Sequence, residues 1–411
     1  MKGRLAAASA VGTTLEWYDF TVYNVMAALV FNAVFFPAFD PMAGTLLAFS
    51  TYAAGYLSRP FGGIVFGSLG DRRGRRTVLV ATLLVMGVAT GLMALLPGYH
   101  TLGAWAPLLL VVLRFVQGAA IGGEWAGAVL LTIEHGAPDQ RGRNGSFAQL
   151  GPACGTLLGT GVVAAVSAAL PPSQFEAWGW RAPFALSLAL VGFGLWLRRG
   201  VAETPAFVEL ERTGALARAP VVEVLRRHRR PLLVAIGVRV GPDIFYALLV
   251  VFSLTYITTV LGESRTLALT ATMIAAACNA LAIGFFGALS DRIGRRRVVL
   301  IATVLAIGWA FAFFPLVDTR APAAIVIAVS GGMLVHAALY GPQAALIAEQ
   351  FPAEVRYAGS SLAYTLTGLV AGGFAPLIYG ALYRATGATP VLSLYATVAL
   401  VISIVALRFV R

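Results

Sequence analysis

Apolar runs of about twenty residues recur from end to end of this 411-residue chain. A helix of that length crosses the roughly 30 Å hydrocarbon core of a bilayer, so lipid rather than water is the solvent that constrains the fold. Composition agrees: 59% of residues are hydrophobic and mean hydropathy is +0.82. Charged residues make up 12%, against about 25% in soluble domains. A soluble globular protein, a disordered chain, collagen and a coiled coil are all excluded. Windows of about 19 residues give twelve spans, at 13–36, 43–69, 77–97, 105–133, 146–170, 178–198, 232–258, 266–289, 298–317, 322–347, 358–383 and 389–408. The one long link, 199–231, is polar and arginine-rich. The expectation is an all-α integral membrane protein, with an N-terminal six-helix bundle over 1–198, a linker over 199–231 and a C-terminal six-helix bundle over 232–411.

A formal charge of +12 is unusual on so apolar a chain. Of the 30 basic residues, 23 fall in the termini and even-numbered loops, and four (Arg181, Arg265, Arg320, Arg384) in odd-numbered loops. The remaining three, Arg59, Arg114 and Arg239, fall well inside spans, whereas Arg181, Arg198 and Arg408, at span ends, are counted with the adjoining loops and terminus. By the positive-inside rule, both termini and the linker are expected on the cytoplasmic side of the cell's inner (plasma) membrane, where the arginines meet anionic lipid heads. Basic residues scattered over short loops do not build a nucleic-acid surface. The start, MKGRLAAASA, has no apolar stretch ahead of its small residues, so no cleaved signal is expected. Cys154 and Cys278 sit in separate apolar stretches and read as small core residues, with neither disulfide nor metal site. Asn144-Gly-Ser146 matches a glycosylation acceptor but falls on the cytoplasmic side. HExxH, GxSxG and phosphate-loop motifs are absent, and an enzyme is not expected.

Aligning the halves at an offset of about 220 residues exposes an internal repeat. Gly67-Ser-Leu-Gly-Asp71-Arg72-Arg-Gly74-Arg75-Arg76 follows span 2, and Gly287-Ala-Leu-Ser-Asp291-Arg292-Ile-Gly294-Arg295-Arg296 follows span 8. A second pair, Glu134…Pro138…Arg141 and Glu349…Pro352…Arg356, follows spans 4 and 10. The pattern G-x-L-x-D-R-x-G-R-R in those loops resembles the signature of the major facilitator superfamily of secondary transporters. Gly12-Thr-Thr-Leu-Glu16-Trp17-Tyr18-Asp19-Phe20, Ser58-Arg59-Pro60-Phe61-Gly62-Gly63, Arg114-Phe-Val-Gln117-Gly118, Gly122-Gly-Glu124 and Glu203-Thr204-Pro205 look like its metabolite:proton symporter branch. The resemblance implies two pseudo-symmetric bundles rocking about a midplane site. It further implies a small organic acid such as citrate, 2-oxoglutarate, shikimate or an aromatic acid as substrate, the proton gradient as the only energy source with no cofactor, and a monomer. Osmosensory relatives carry a long C-terminal helix that is not seen here, so osmosensing is not expected.

Asp71 closes a helix at its C-terminal end, where the macrodipole disfavours an anion, so an arginine or the N-terminus of another helix should satisfy it. Gly74 and Gly294 permit a tight reversal. The resemblance makes these loops a charge clamp, with Gly67, Asp71, Arg72, Gly74, Arg75, Arg76, Asp291, Arg292, Gly294, Arg295, Glu134, Arg141, Glu349 and Arg356 as its members. A plain positive-inside anchor is the alternative.

Inside the bilayer each charge costs roughly 2.5–3.5 kcal/mol at a helix centre on insertion scales, which marks a transport path. Arg114 and Arg239 approach the midplane, where a planar guanidinium offers bidentate contact to a carboxylate, and are candidate substrate clamps. Asp243, one turn from Arg239, is a candidate proton group, and a structural Arg239–Asp243 pair is the competing reading. Glu16 and Asp19 share a helix face; Asp19 is the first candidate for the proton, with Arg59 as its expected ion-pair partner, and Glu124 is another candidate. Tyr23, Tyr52, Gln117, Tyr246, Asn279, His336 and Tyr340 are candidates to complete the cavity, although His336 also suits a helix-packing hydrogen bond. Gly151, Gly155 and Gly159 on span 5, and Gly368 and Gly372 on span 11, have the spacing of close helix approach. The segment Gln149-Leu-Gly151-Pro152-Ala-Cys-Gly155 loosely resembles a motif of drug:proton antiporters, so an exporter is the nearest rival. Uptake of a zwitterion such as proline or betaine is a further alternative.

Overall fold

A computed structural model describes the backbone of residues 2–38 and 41–410, and within them every side chain except those of residues 2–4, 28, 41–46, 48–50, 52 and 53. The long helices are α1 (Lys2–Leu29), α2 (Pro41–Arg73), α3 (Arg75–Leu95), α4 (Trp105–His135), α5 (Pro138–Ala169), α6 (Arg181–Arg198), α7 (Arg229–Val260), α8 (Arg265–Ile293), α9 (Arg295–Asp318), α10 (Pro322–Ala348), α11 (Ala353–Thr386) and α12 (Thr389–Leu407). Among the described residues, nine are long and apolar enough to cross a bilayer, and α6 makes ten when joined to Pro172–Gly179 across a 48° bend. The other two, α1 and α2, are 28 and 33 residues long. At 1.5 Å per residue either spans a bilayer. Their hydropathy is lowered by Glu16, Asp19, Arg59 and several tyrosines, so the two most polar spans complete the twelve.

The halves pack alike: α2 lies on α4 as α8 lies on α10, and α3 on α4 as α9 on α10. Small residues set these distances. A Cβ on Gly62 would overlap the carbonyl of Ala119, and one on Gly122 the carbonyl of Arg59. Gly151, Gly155 and Gly159 press against Thr13, Trp17, Tyr18 and Thr21 of α1, as their spacing predicts. The other glycine pair departs from expectation: a Cβ on Gly368 would meet nothing and one on Gly372 only the ring of Tyr56, because this stretch is a π-helical turn, Gly368–Phe374, that changes the face each residue presents. Leucines, valines and phenylalanines such as Leu95, Leu281 and Leu377 stand exposed on the outer surface, where lipid replaces water as their neighbour. Cys154 and Cys278 are free.

The linker, both ends of the described chain and the 2–3 and 8–9 loops share one face, called here the basic face, and the halves are tied together there twice. Asp71, at the end of α2, accepts the backbone N–H of Tyr357 (3.1 Å, Oδ1) and of Ala358 (2.8 Å, Oδ2) at the start of the Arg356–Thr367 helical stretch of α11. Its repeat mate Asp291, at the end of α8, accepts the N–H of Gly142 (2.7 Å) and Arg143 (2.8 Å), where Arg141–Ser146 opens α5. The partner anticipated for Asp71, another helix's N-terminus, is present in both halves and always belongs to the opposite half. Salt bridges extend both caps. Arg75 reaches Asp71 and Glu134, each at 3.4 Å, and Arg356 reaches Glu134 at 3.1 Å. Arg295 reaches Asp291 (3.1 Å) and Glu349 (3.2 Å), and Arg141 reaches Glu349 at 3.7 Å.

Gly74 (φ 103°) and Gly294 (φ 93°) occupy backbone conformations that side chains avoid, as the tight reversals require. Gly67 lies where a Cβ would stand 3.0 Å from Cα of Ala358, at the α2–α11 seam. Arg72 and Arg292 depart from expectation. Both point outward, exposed and without an ion pair among the described residues, and Arg76 donates its side chain to the carbonyl of Arg199 (3.3 Å) and its backbone N–H to Glu203 (3.1 Å). Position explains this: within each D-R-x-G-R-R loop, the arginine four residues after the aspartate is the one on its side of the turn.

The two clamps differ in exposure. Side chains of Asp71, Arg75 and Glu134 are 0%, 0% and 2% exposed, whereas Arg295, Glu349 and Arg141 are 21%, 28% and 38% exposed. A hydrogen bond to a charged group contributes about 1.5–3 kcal/mol, and more of it survives away from water. Asp71→Asn should therefore open the basic face more than Asp291→Asn. In a Cys154→Ser, Cys278→Ser background, a cysteine replacing Ser361, buried at the α2–α11 seam, should react with a water-soluble maleimide about tenfold faster in Asp71→Asn, with a smaller rise in Asp291→Asn; equal rates in all three would refute the clamp.

Candidate functional site

Polar side chains enter the centre of the N-terminal half from α1, α2, α3, α4 and α6. Asp19 is buried and accepts two hydroxyl hydrogen bonds, from Ser187 (2.5 Å) and Thr90 (2.9 Å). Thr90 in turn accepts from Gln117 Nε2 (2.7 Å), and the carboxamide oxygen of Gln117 accepts from Arg114. One hydrogen-bonded line thus runs from the guanidinium of Arg114 through Gln117 and Thr90 to Asp19 and Ser187. The i, i+3 spacing of Arg114 and Gln117 puts both on one face of α4. Arg114 is buried, with its Cζ 4.1 Å from the ring centroid of Tyr23 and 4.4 Å from that of Phe20. Tyr23 is fixed by its hydroxyl contact with Thr51 (2.5 Å).

The expected Asp19–Arg59 pair is not formed among the described residues. Arg59 lies over the rings of Phe20 (4.6 Å) and Tyr56 (4.3 Å), one turn nearer the basic face, and the carboxylates that feel its charge are Glu16 and Asp243. The cation acting on Asp19 is Arg114. An offset of three residues along α1 separates the expected carboxylate from the observed one there, Glu16. Glu124 also differs from a free proton candidate: it forms a buried salt bridge with Arg198 at the end of α6 and accepts from Thr82 (2.6 Å). Sequence reading placed Arg198 in the linker-side charge; its neighbour Arg199 is exposed, and nothing in the adjacent pair of arginines indicates which one turns inward.

In the C-terminal half, Arg239 bonds Asp243 at 2.9 Å, so the structural pair is the arrangement observed. The guanidinium also covers the ring of Tyr364 (3.9 Å), which stacks on Trp125 of the opposite half with centroids 4.3 Å apart. Trp125 donates to Gln149, and Gln149 to the carbonyl of Tyr340. Tyr364, missed by sequence reading, stands where the two halves meet: Glu16 and Arg59 act on it from one side, Arg239 and Asp243 from the other. The signal was a run of hydroxyls in span 11, Ser360, Ser361, Tyr364, Thr365 and Thr367, all buried. His336 packs between Tyr246 (5.2 Å) and Tyr340 (5.1 Å), and its Nδ1 lies 3.2 Å from Asn279 Nδ2, which donates to Met333. That is the helix-packing role. The side chain of Tyr52 lies outside the described residues. No cluster of metal-ligating side chains is present among the described residues.

The sequence profile of the Major Facilitator Superfamily matches residues 9–376 and 244–411. The chain is 40% identical over 382 residues to the shikimate transporter of Escherichia coli (strain K12), covering 92% of this chain and 87% of that protein. It is 37% identical over 382 residues to the inner membrane metabolite transport protein YhjE of the same organism (92% and 87%), and 34% identical over 381 residues to its proline/betaine transporter (89% and 75%). Among solved structures, the proton:xylose symporter XylE bound to 6-bromo-6-deoxy-D-glucose superposes with a TM-score of 0.77 at 18% identity, covering 99% of this chain and 94% of that one. FucP in the outward conformation gives 0.69 at 16% identity, covering 99% of each chain. Twelve helices in two pseudo-symmetric bundles, the repeated clamp loops and these likenesses lead to one conclusion: the chain belongs to the Major Facilitator Superfamily, as a multi-pass membrane transport protein rather than an enzyme.

Proposed function

We propose that the chain is a proton-coupled symporter that imports a small organic acid by alternating access, working as a monomer in the inner membrane with its basic face toward the cytoplasm and with the proton gradient, not a cofactor, as energy source. The observation that carries this reading is the hydrogen-bonded line from Arg114 to Asp19. Arg114, flat against two aromatic rings, presents the geometry that meets a carboxylate. Its guanidinium is joined to the Asp19 carboxylate through Gln117 and Thr90, and a nearby positive charge favours a carboxylate over its acid. A substrate carboxylate seated on Arg114 cancels that field, so Asp19 takes up a proton as substrate binds; linkage makes the effect reciprocal, and proton binding strengthens substrate binding. Symport is the transport mode that such positive coupling serves.

The aromatic faces bear on the zwitterion alternative. Rings of Phe20, Tyr23, Tyr56 and Tyr364 are the surfaces a quaternary ammonium would seek, yet arginines already lie on them. Cations on the rings favour an anionic substrate over betaine. The name of the 40%-identical relative makes shikimate the first compound to try.

Two outcomes test the proposal in proteoliposomes with labelled shikimate. Asp19→Asn should abolish accumulation driven by an inward proton gradient while counterflow exchange persists, since a fixed neutral group binds substrate but carries no proton; normal accumulation would remove Asp19 from coupling. Arg114→Lys should raise the half-saturation concentration about tenfold, equivalent to about 1.4 kcal/mol, because an ammonium keeps the charge but not the paired donors. An unchanged half-saturation value would rule out the carboxylate clamp.

A further inference from the structure

Between the Asp19 site and the closed basic face, two carboxylates, Glu16 and Glu124, lie near one guanidinium, that of Arg198, which is bonded to Glu124 alone of the two. Glu124 of α4 holds Arg198 in a buried salt bridge, and Arg198 also donates to the carbonyl of Leu79 (2.5 Å). The pair lies against the backbone of α1 at Gly12, where a Cβ would overlap Arg198 Nη2 and stand 2.8 Å from Glu124 Oε1. Glu16 follows Gly12 by one helical turn, hence on the same face. It is 1% exposed, and neither carboxylate oxygen has a hydrogen-bond partner among the described residues. The groups facing it are Arg59 from α2, Glu124 from α4, Arg198 from α6 and the Tyr364 ring from α11; Arg59 is engaged with the rings of Phe20 and Tyr56. A buried carboxylate left without a hydrogen bond is costly as an anion, and far less so as the acid.

The cluster also touches the clamp. Gly123, adjacent to Glu124, accepts the hydroxyl of Tyr357 (2.7 Å), and the backbone N–H of that tyrosine caps Asp71 (3.1 Å). Any movement of α4 at Glu124 therefore reaches the interaction that holds the halves together.

We propose that Glu16 is a second proton-carrying group and that Arg198 is the positioning residue that links its charge to the basic-face clamp. The inference rests on the proton-coupled reading above and adds a site to it. With Glu16 protonated, Arg198 stays on Glu124 and the face is closed. When the face parts, the Glu16 O–H passes its proton to water, and the resulting carboxylate competes with Glu124 for Arg198 across one helical turn. Ionised Glu16 thus favours the open face and protonated Glu16 the closed one, so raising pH opens the face.

The experiment needs no substrate. Spin labels at Arg73→Cys and Arg297→Cys, exposed on opposite halves of the basic face, are introduced into Cys154→Ser, Cys278→Ser protein in lipid nanodiscs. Double electron–electron resonance then reads the distance distribution from pH 5 to 9. The short-distance population should fall at least tenfold relative to the long one across that range. In Glu16→Gln it should stay short throughout. Arg198→Gln should flatten the profile, Arg198→Lys should restore it, and Glu124→Gln should move its midpoint to lower pH by releasing Arg198 to Glu16. A flat wild-type profile, a wild-type profile in Glu16→Gln or Arg198→Gln, or an unmoved midpoint in Glu124→Gln would overturn the proposal. Should Arg198→Gln fail to fold, the Arg198→Lys and Glu124→Gln profiles decide. Failure here alongside intact gradient-driven accumulation of shikimate refutes the second site alone; loss of accumulation in wild-type protein refutes the symport reading instead.

Discussion

An aspartate at the C-terminal end of one helix, set against the first backbone amides of a helix from the opposite half, is the interaction on which the closed form of this protein depends. At the end of its own helix the carboxylate faces the negative pole of the macrodipole, a mismatch of up to about 1 kcal/mol. The amides of α11 and the guanidinium of Arg75 reverse the sign. Asp71 is therefore better satisfied between the halves than within its own, and so is Asp291. Local unfavourability stored at two helix ends becomes attraction between two bundles. Because these are hydrogen bonds to fixed amides rather than apolar packing, they break cleanly when the helices separate and reform when they return.

The membrane interior applies the same logic to every other charge. An arginine in lipid must be matched, and here matching is done by aromatic faces as much as by carboxylates: Arg59, Arg114 and Arg239 all lie on rings. Rings accept a cation without neutralising it. Arg114, against the rings of Phe20 and Tyr23 and bonded to the Gln117 oxygen, is made tolerable in a dry site by groups that leave its formal charge in place. Arg239 and Arg198, by contrast, are each tied to a carboxylate. The N-terminal half thus holds at its centre a cation bonded to a neutral carboxamide, and the C-terminal half a cation bonded to a carboxylate.

Much of this was legible in the sequence because it follows from local rules. Apolar length located the twelve helices, the aspartate at a helix end predicted a capping partner, and Gly74 and Gly294 predicted positive φ. The repeated D-R-x-G-R-R placed the clamp on one face. What escaped depends on rotation about a helix axis. Sequence spacing pairs Arg59 with Asp19, whereas its charge reaches Glu16, three residues away, and a shift of one turn along α1 cannot be read without the neighbouring helices. Arg198 and Arg199 are adjacent and chemically identical, and only the packing of α6 on α3 and α1 turns one of them inward, onto Glu124. Gly368 and Gly372 kept the right spacing but lie in a π-helical turn, where four residues no longer share a face.

The unequal burial of the two clamps means that they respond to different variables. Charges of the α5–α8 clamp stand partly in the adjoining solution, where mobile ions screen them over a Debye length of about 8 Å at physiological ionic strength. In the α2–α11 clamp Asp71, Arg75 and Glu134 are sealed from those ions. Salt loosens the first more than the second, so the seam parts from one side like a hinged door, with Asp71 at the hinge and the partly exposed Arg141, Glu349 and Arg295 at the latch.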